Sequence, residues 1–470
     1  MPIASRRSNA GTSGWPRNGR AGRGLPAGSS NDCVISLDNP LASDWKAFPY
    51  WWEQVPLLPA NDPLPARVDV AVVGSGYCGI MAALTLARGG VSTVVIEAHD
   101  PGYGASTRNH GHIGGIGKLP ADLERKVGPE RAALIKEDAV RARHFLLDLI
   151  KNESLDVDYV ECGRFLGAHS PAAYRSFERR AEGFRRDLGL TVRLVPREEQ
   201  RSEIGSDFYF GGMVTKEAGA LHPAKLYREI RRLAVEAGVR IRGQARVQSI
   251  ARTGNGYRLS TARGEVAAEQ VIVATNAYTG ALTPYIQHRL VPVTAYMIAT
   301  EELPIELAQV VLPTNRTGGD TKRALYAFRR SPDGRRIIFA GRAKFRDIDE
   351  RSASAILHRF MGGVWPQLRE ARVSHCWKGM VAFTFDNLPH MGQHDGLQYV
   401  AGCNGSGVVM MSYLGHQAAL KLLAKQDRPC GIDGLAFPGV PTYRGRPWFL
   451  PIVGGYYVMR DRLDREMARL

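Results

Sequence analysis

The chain predicts an α/β fold in which a Rossmann-like dinucleotide-binding domain is interleaved with an α+β domain built on an antiparallel sheet. Three observations predict it. The first is a complete βαβ unit: an apolar run (Val68 to Val73), a three-glycine turn (Gly74-Ser-Gly76-Tyr-Cys-Gly79), an apolar helical stretch to Gly90, and a strand ending in an acid at Glu97. The second is the return of a largely apolar, buried-type strand far downstream at Val271 to Asn276, and of another at Tyr399 leading into a glycine-rich turn. The third is the character of the segments between, where charged helices alternate with strands and suit excursions into a second domain. A length of 470 residues makes two domains the natural division.

Within the βαβ unit each residue has a physical task. Gly74 allows the tight turn, Gly76 lets backbone approach a pyrophosphate, and Gly79 lets the helix lie close to the strand. The helix then begins with free N–H groups and the positive end of its dipole. Glu97, with Ala98 beside it, stands where a carboxylate can accept ribose hydroxyls, a feature common to NAD and FAD. The loop from Gly102 to Gly115 is too long and polar for a plain connection and reads as a second cofactor-facing loop.

The remaining elements follow in order. Residues 1 to 45 are rich in Gly, Ser, Arg and Pro, lack an acid before Asp32, and are expected to be a disordered basic extension. No apolar segment follows the Arg6-Arg7 pair, so no secretory signal is indicated. Order is expected to start at Phe48-Pro-Tyr-Trp-Trp-Glu53, whose aromatics are expected to pack on the surface of the fold. Helices are expected at Pro129 to Asn152 and Tyr174 to Leu188, with a strand across Asp156 to Ala168. His222 precedes a helix with Pro223 in its first turn and a stop at Gly238. Val239 to Ile250 and Tyr257 to Thr261 read as strands, and Tyr326 to Gly341 as a hairpin around Pro332-Asp-Gly334.

Composition narrows the partners. The net charge of +16 is spread along helices such as Arg175 to Arg186, with no accompanying nucleic-acid motif, so solvated helix faces explain it and no nucleic-acid partner is expected. Six scattered cysteines, with no Cys-x-x-Cys and no His/Cys ligand spacing, indicate neither a metal site nor a disulfide framework. A cytoplasmic setting fits. The tail from Tyr443 to Tyr457 is too short and interrupted to cross a bilayer and reads as a surface strap, with no transmembrane segment expected.

Together the motifs resemble a known family. Gly104-Ala-Ser-Thr-Arg-Asn109 after the βαβ unit, Gly219-Ala-Leu-His-Pro223, Val271 to Tyr278, Trp377 to Gly392 and Tyr399 to Gly407 are similar to the signatures of the flavin-dependent D-amino-acid, glycine and sarcosine oxidase superfamily. The first of these, and the tail, resemble the gamma-glutamylputrescine oxidase branch most. The resemblance implies FAD, held by Gly74, Gly76, Gly79, Glu97, Ala98, Ser106, Arg108, Asn109, Val247, Gly402, Asn404, Gly405, Gly407 and Val408. It implies a split Rossmann-like FAD-binding domain (46–150, 215–290, 371–430), an antiparallel-sheet substrate domain (151–214, 291–370) and a carboxyl-terminal strap (431–470). His110 and His112 stand in the loop that would flank the flavin, and Tyr326 and Arg329, with Tyr278 and Trp377, are pocket candidates.

The implied reaction is oxidation of a C–N bond of a small amine or amino acid by hydride transfer to flavin, giving an imine that hydrolyses, with oxygen or another acceptor taking the electrons. D-amino-acid or N-methyl-amino-acid oxidation, and a nicotinamide-dependent dehydrogenase sharing Gly74 to Glu97, are the alternatives. Three departures qualify the family pattern. The lysine that grips a carboxylate in sarcosine-type enzymes falls at Val409, the oxygen-activating lysine at Ile338 or Phe339, and the flavin-attaching histidine of dimethylglycine-type relatives at Asn109, so FAD is expected to be non-covalent. His110 and Cys403 are the remaining attachment candidates.

Overall fold

The computed structural model describes residues 39–114 and 119–467. Two sheets carry the architecture. In chain order the elements are β1 (Leu41–Lys46), β2 (Arg67–Val73), α1 (Tyr77–Arg88), β3 (Thr93–Ile96), β4 (His112–Ile113), α2 (Pro129–Asn152), β5 (Arg164–Gly167), α3 (Pro171–Leu188), β6 (Val192–Val195), β7 (Gly212–Thr215), β8 (Gly219–Ala220), α4 (Pro223–Glu236), β9 (Arg240–Arg242), β10 (Val247–Thr253), β11 (Gly256–Thr261), β12 (Gly264–Val273), β13 (Leu290–Thr300), β14 (Thr317–Asp320), β15 (Tyr326–Arg330), β16 (Ile337–Gly341), α5 (Glu350–Val364), β17 (Val373–Thr384), β18 (His390–His394), β19 (Leu397–Ala401), α6 (Gly407–Leu422) and α7 (Leu450–Glu466).

The first sheet has a parallel centre, β9-β3-β2-β12-β19, extended by the antiparallel meander β10-β11-β12 and by β18 against β19. Its strands are apolar because both faces are covered: Val70 to Val73 and Val94 to Ile96 are buried, and α1 and α6 cross closely on one side. At that crossing a Cβ on Gly415 would collide with the Cys78 carbonyl. The helix α4 starts as its sequence demands, with His222 Nδ1 accepting from Lys225 N at 3.2 Å and Pro223 in the first turn.

The second sheet runs β1-β17-β13-β16-β15-β14-β5-β7-β6 and is mostly antiparallel. Strand alternation gives it two distinct faces. Phe328, Phe339, Tyr296 and Ile298 turn toward α5 and Trp365, while Met297, paired with Trp377 and Ala340, turns the other way. The hairpin turn forms as expected, with Gly334 at φ +75° and its N–H donating to Ser331 O at 2.9 Å.

Several expectations are corrected. The end of the stretch expected to be disordered, Leu41 to Trp45, forms with Lys46 an edge strand parallel to β17, anchored by buried Leu41 and by Val373 N donating to Pro40 O at 2.8 Å; residues 1–38 lie outside the described residues. The aromatics at 50–52 are buried rather than superficial. Strand β17, assigned to the cofactor domain by a boundary at 371, pairs with β13 in the nine-stranded sheet up to Thr384. Of Asp156 to Ala168 only Arg164–Gly167 is strand, and Val239 to Ile250 is broken between β9 and β10, where Gln244 takes φ +52° and Gly243 N is drawn onto Ala60 O. Much of the carboxyl-terminal strap is helical, because Pro451 sits in the first turn and Gly454 leaves room for the Phe345 ring.

Candidate active site

At the end of β2 the chain makes the turn its glycines allow. Gly74 has φ +102°, and a Cβ on Gly79 would collide with the Gly74 carbonyl, so strand and helix meet at a distance only glycine permits. Gly76 caps α1, and a Cβ there would stand 3.1 Å from Ser106 Oγ. Glu97, just past β3, is fixed at this mouth: Oε2 accepts from Ser75 N at 2.9 Å and Ser75 Oγ at 2.8 Å, and Oε1 from His99 N at 3.0 Å. Ala98 follows it half-buried, and Val247 opens β10, buried in the same core.

The loop at 104–113 joins the two sheets. Ser106 Oγ accepts from Tyr77 N at 2.9 Å, so it caps the first turn of α1. Asn109 folds the loop on itself, donating to Ala105 O and Ser106 O and accepting from Gly111 N at 2.7 Å. Arg108 stacks between Trp52 and Tyr103 at 4.4 and 4.5 Å and donates to Lys378 O at 3.1 Å. Four successive residues are then held by side chains from elsewhere. Trp52 Nε1 donates to Thr107 Oγ1 (2.9 Å), Trp377 Nε1 to Arg108 O (2.8 Å), Trp51 Nε1 to Asn109 O (2.9 Å), and Arg329 Nη1 to His110 O (2.9 Å). Three indoles and a guanidinium therefore fix the loop's path.

This places the expected pocket residues. Arg329 also donates to Leu221 O at 2.7 Å and is buried, which pushes its pKa down to about 10; it staples backbone carbonyls together. His110 is buried, and its ring lies 4.9 Å from that of His112, which is half-buried on β4. Tyr326 does not join this group. It shares its strand face with Phe328 and packs on Phe339 and Phe360 at 5.2 Å each, with Lys322 Nζ 3.5 Å from its ring, on the far side of the sheet. Tyr278 lies beside the loop, 3.3 Å from where a Cβ of Gly104 would be.

On the carboxyl-terminal side, Gly402 (φ +81°) and Gly405 (φ +80°) form the turn before α6, and Gly407 and Val408 begin the helix. Asn404, at φ +44°, accepts from Thr384 N at 3.1 Å and donates to Gly402 O at 2.9 Å. Asn276 Oδ1, after β12, accepts from Gly402 N at 3.0 Å and ties this turn to the βαβ sheet. Val409 is buried, Ile338 packs in the Trp51–Trp377 cluster, and Phe339 faces α5, so none of these positions supplies an amine.

Three further residues were not legible as site residues. Trp51 and Trp52 grip the loop from more than fifty positions upstream, and the density of aromatics before the first core strand was the one signal of them. Arg342, just past β16, lies with its guanidinium 5.4 Å from the Phe345 ring and 5.1 Å from the Phe383 ring. Phe383 shares a face of β17 with Trp377 and Gly379, so Arg342 lies toward that face. Burial pushes its pKa down, and among the described residues no carboxylate pairs with it.

Comparison with known proteins gives the family. Residues 69–420 match the family described as DAO, FAD dependent oxidoreductase, and the chain belongs to that family and is an FAD-dependent oxidoreductase. Among relatives, it is 29% identical over 421 residues to the probable oxidoreductase OrdL of Rhizobium meliloti, covering 88% of this chain and 97% of that one. It is 29% identical over 403 residues to gamma-glutamylputrescine oxidoreductase of Escherichia coli, covering 84% and 93%. Glycine oxidase of Geobacillus kaustophilus superposes with a TM-score of 0.66 at 21% identity, covering 80% of this chain and 99% of that one, a likeness of fold. The glycine turn at Gly74–Gly79 leading into the N-terminus of α1, with Glu97 anchored at the end of the next strand, fits a dinucleotide, whose phosphates a helix N-terminus of this kind accepts.

Proposed function

We propose that this enzyme oxidises the C–N bond of a small amine that carries a carboxylate well removed from the reacting carbon, a gamma-glutamylputrescine-like substrate, to an imine that hydrolyses. Arg342 is the observation that carries the reading. It is a partly desolvated guanidinium without a carboxylate partner, and such a group favours an anion with which to form paired hydrogen bonds. It lies against Phe383, four residues along β17 from Gly379, where Arg108 of the loop approaches. Four strand residues span about 13 Å, so the anion would be gripped far from the loop. Val409, where a lysine would hold an α-carboxylate, is buried and apolar, which disfavours a simple amino acid.

Bound FAD supplies a two-electron acceptor for the amine. The chain's own residues bind and orient. Gly74, Gly76, Gly79, Glu97 and the turn from Gly402 to Val408 would hold the cofactor without a covalent bond, Asn109 being committed to its own loop. His110 and His112 would flank the amine and favour its neutral form. The small or partly exposed Ala327, Met297, Ala295 and Gly379 on the nine-stranded sheet would form the substrate floor. Apolar Ile338 in place of an oxygen-activating lysine favours an acceptor other than oxygen. The described cysteines are all unpaired, in keeping with a cytoplasmic enzyme.

The test is Arg342→Gln. KM for gamma-glutamylputrescine should rise about 10- to 100-fold, the scale of one lost charged hydrogen-bond pair, while KM for putrescine, which has no carboxylate, stays unchanged. An equal effect on both amines would remove Arg342 from substrate recognition.

A further inference from the structure

The helix α7 is built the wrong way round for a surface helix. Its inward side carries charge: Asp461 is buried, accepting from Arg323 N and Ala324 N at 3.1 Å each and from the Arg323 guanidinium at 3.1 Å, and Asp464 accepts from the same guanidinium at 2.7 Å. His169 Nε2 stands 3.7 Å from Asp464, and the Arg323 guanidinium pairs with both carboxylates. The outward side is apolar. Ile452 is 71% exposed, Tyr456 53%, Met459 51%, Leu463 39% and Met467 61%, with Trp448 at 69% just ahead of the helix. From Ile452 to Met467 the spacing of four, three, four and four residues places them on one stripe. A surface helix ordinarily buries such a stripe, and a contiguous exposed one marks an interaction surface.

Charge selects the occupant. On α7 the exposed ionic residues are Arg462 and Glu466, exposed Arg444 and Arg446 precede the helix in the chain, and the whole chain carries +16. A second copy would bring like charge to this face, whereas an anionic bilayer attracts it. Trp448 and Tyr456 are rings suited to the headgroup region. Among the described residues no helix is long and apolar enough to cross a membrane, so α7 would lie in the plane of the interface. We infer that α7 docks this enzyme onto the surface of an anionic lipid bilayer, with Ile452, Tyr456, Met459 and Leu463 entering the acyl boundary and the arginines on the headgroups.

The experiment is sedimentation of the holoenzyme with vesicles of phosphatidylglycerol and phosphatidylcholine, against vesicles of phosphatidylcholine alone. The native protein should pellet with the anionic vesicles and release progressively as salt rises. The variant I452S/Y456S/M459S/L463S should bind at least about tenfold more weakly while keeping its flavin content and thermal midpoint. Native protein left in the supernatant with anionic vesicles, or a variant that pellets equally, would overturn the inference. So would light scattering showing a native dimer that the variant converts to monomer, which would give the stripe to a second copy. A milder variant, Arg462→Glu with Arg446→Glu, should lose anionic-vesicle binding without touching the apolar stripe.

Discussion

At the scale of single residues, the site depends on donors aimed at backbone carbonyls more than on groups aimed at a ligand. Trp51 illustrates this: its indole N–H satisfies Asn109 O, in a position where water cannot replace it. Trp51→Phe keeps the ring but leaves that carbonyl short of a partner, a cost of about 1–3 kcal/mol. Denaturant titration should show that loss, and FAD affinity should fall about tenfold; an unchanged affinity would mean the loop's path does not depend on the indole. His222 gives the corresponding pH effect. Its ring is fully buried, caps α4 in the neutral form, and is held by burial at a pKa of about 4, below the ordinary 6.5. The unfolded chain then binds the proton first, so stability is full above pH 6.5 and falls as pH drops toward 4. The shift corresponds to about 3 kcal/mol over that window. His222→Asn retains a capping oxygen without the titration, so its denaturation midpoint should fall less steeply between pH 6.5 and 4.

At the scale of elements, the sequence showed most where local chemistry decides the structure. Gly74 and Gly79 sit at a tight strand-to-helix turn because only glycine fits there, and Pro223 and Gly238 bound α4 as residue types dictate. Gly79→Ala puts a methyl group into the Gly74 carbonyl, and should cost roughly 3 kcal/mol together with bound FAD; a purified variant with full flavin content would contradict the role given to this turn. What was hidden depends on long-range pairing. Tyr326 and Arg329 looked equivalent in sequence, yet strand alternation sends one to the α5 face and the other to the loop. Trp51 and Trp52 read as surface aromatics because their acceptors lie at 107 and 109 in sequence. Strand β1 was obscured by the basic, glycine-rich composition on its amino-terminal side. Arg342 looked like one arginine among many until Phe345 and Phe383 closed around it.

At the scale of the whole molecule, the chain crosses between the two sheets several times, and each crossing leaves a site component at the seam. The βαβ turn and Glu97 come from the first sheet, the pinned loop from the connection, Arg329, Trp377 and Arg342 from the second, and the Gly402–Gly407 turn from the return. In the proposed reading, the first sheet holds the cofactor, the face of the second sheet sets the substrate, and α7 sets where the enzyme sits. The most direct test of the account is the visible spectrum of the purified protein during anaerobic addition of gamma-glutamylputrescine, putrescine, sarcosine and D-alanine in turn, with acid precipitation of a parallel sample. The account predicts a yellow protein, bleached fastest by gamma-glutamylputrescine, that releases FAD into the acid supernatant. A flavin spectrum that no amine bleaches, or one bleached by sarcosine or D-alanine in preference to the long carboxylated amine, would contradict it.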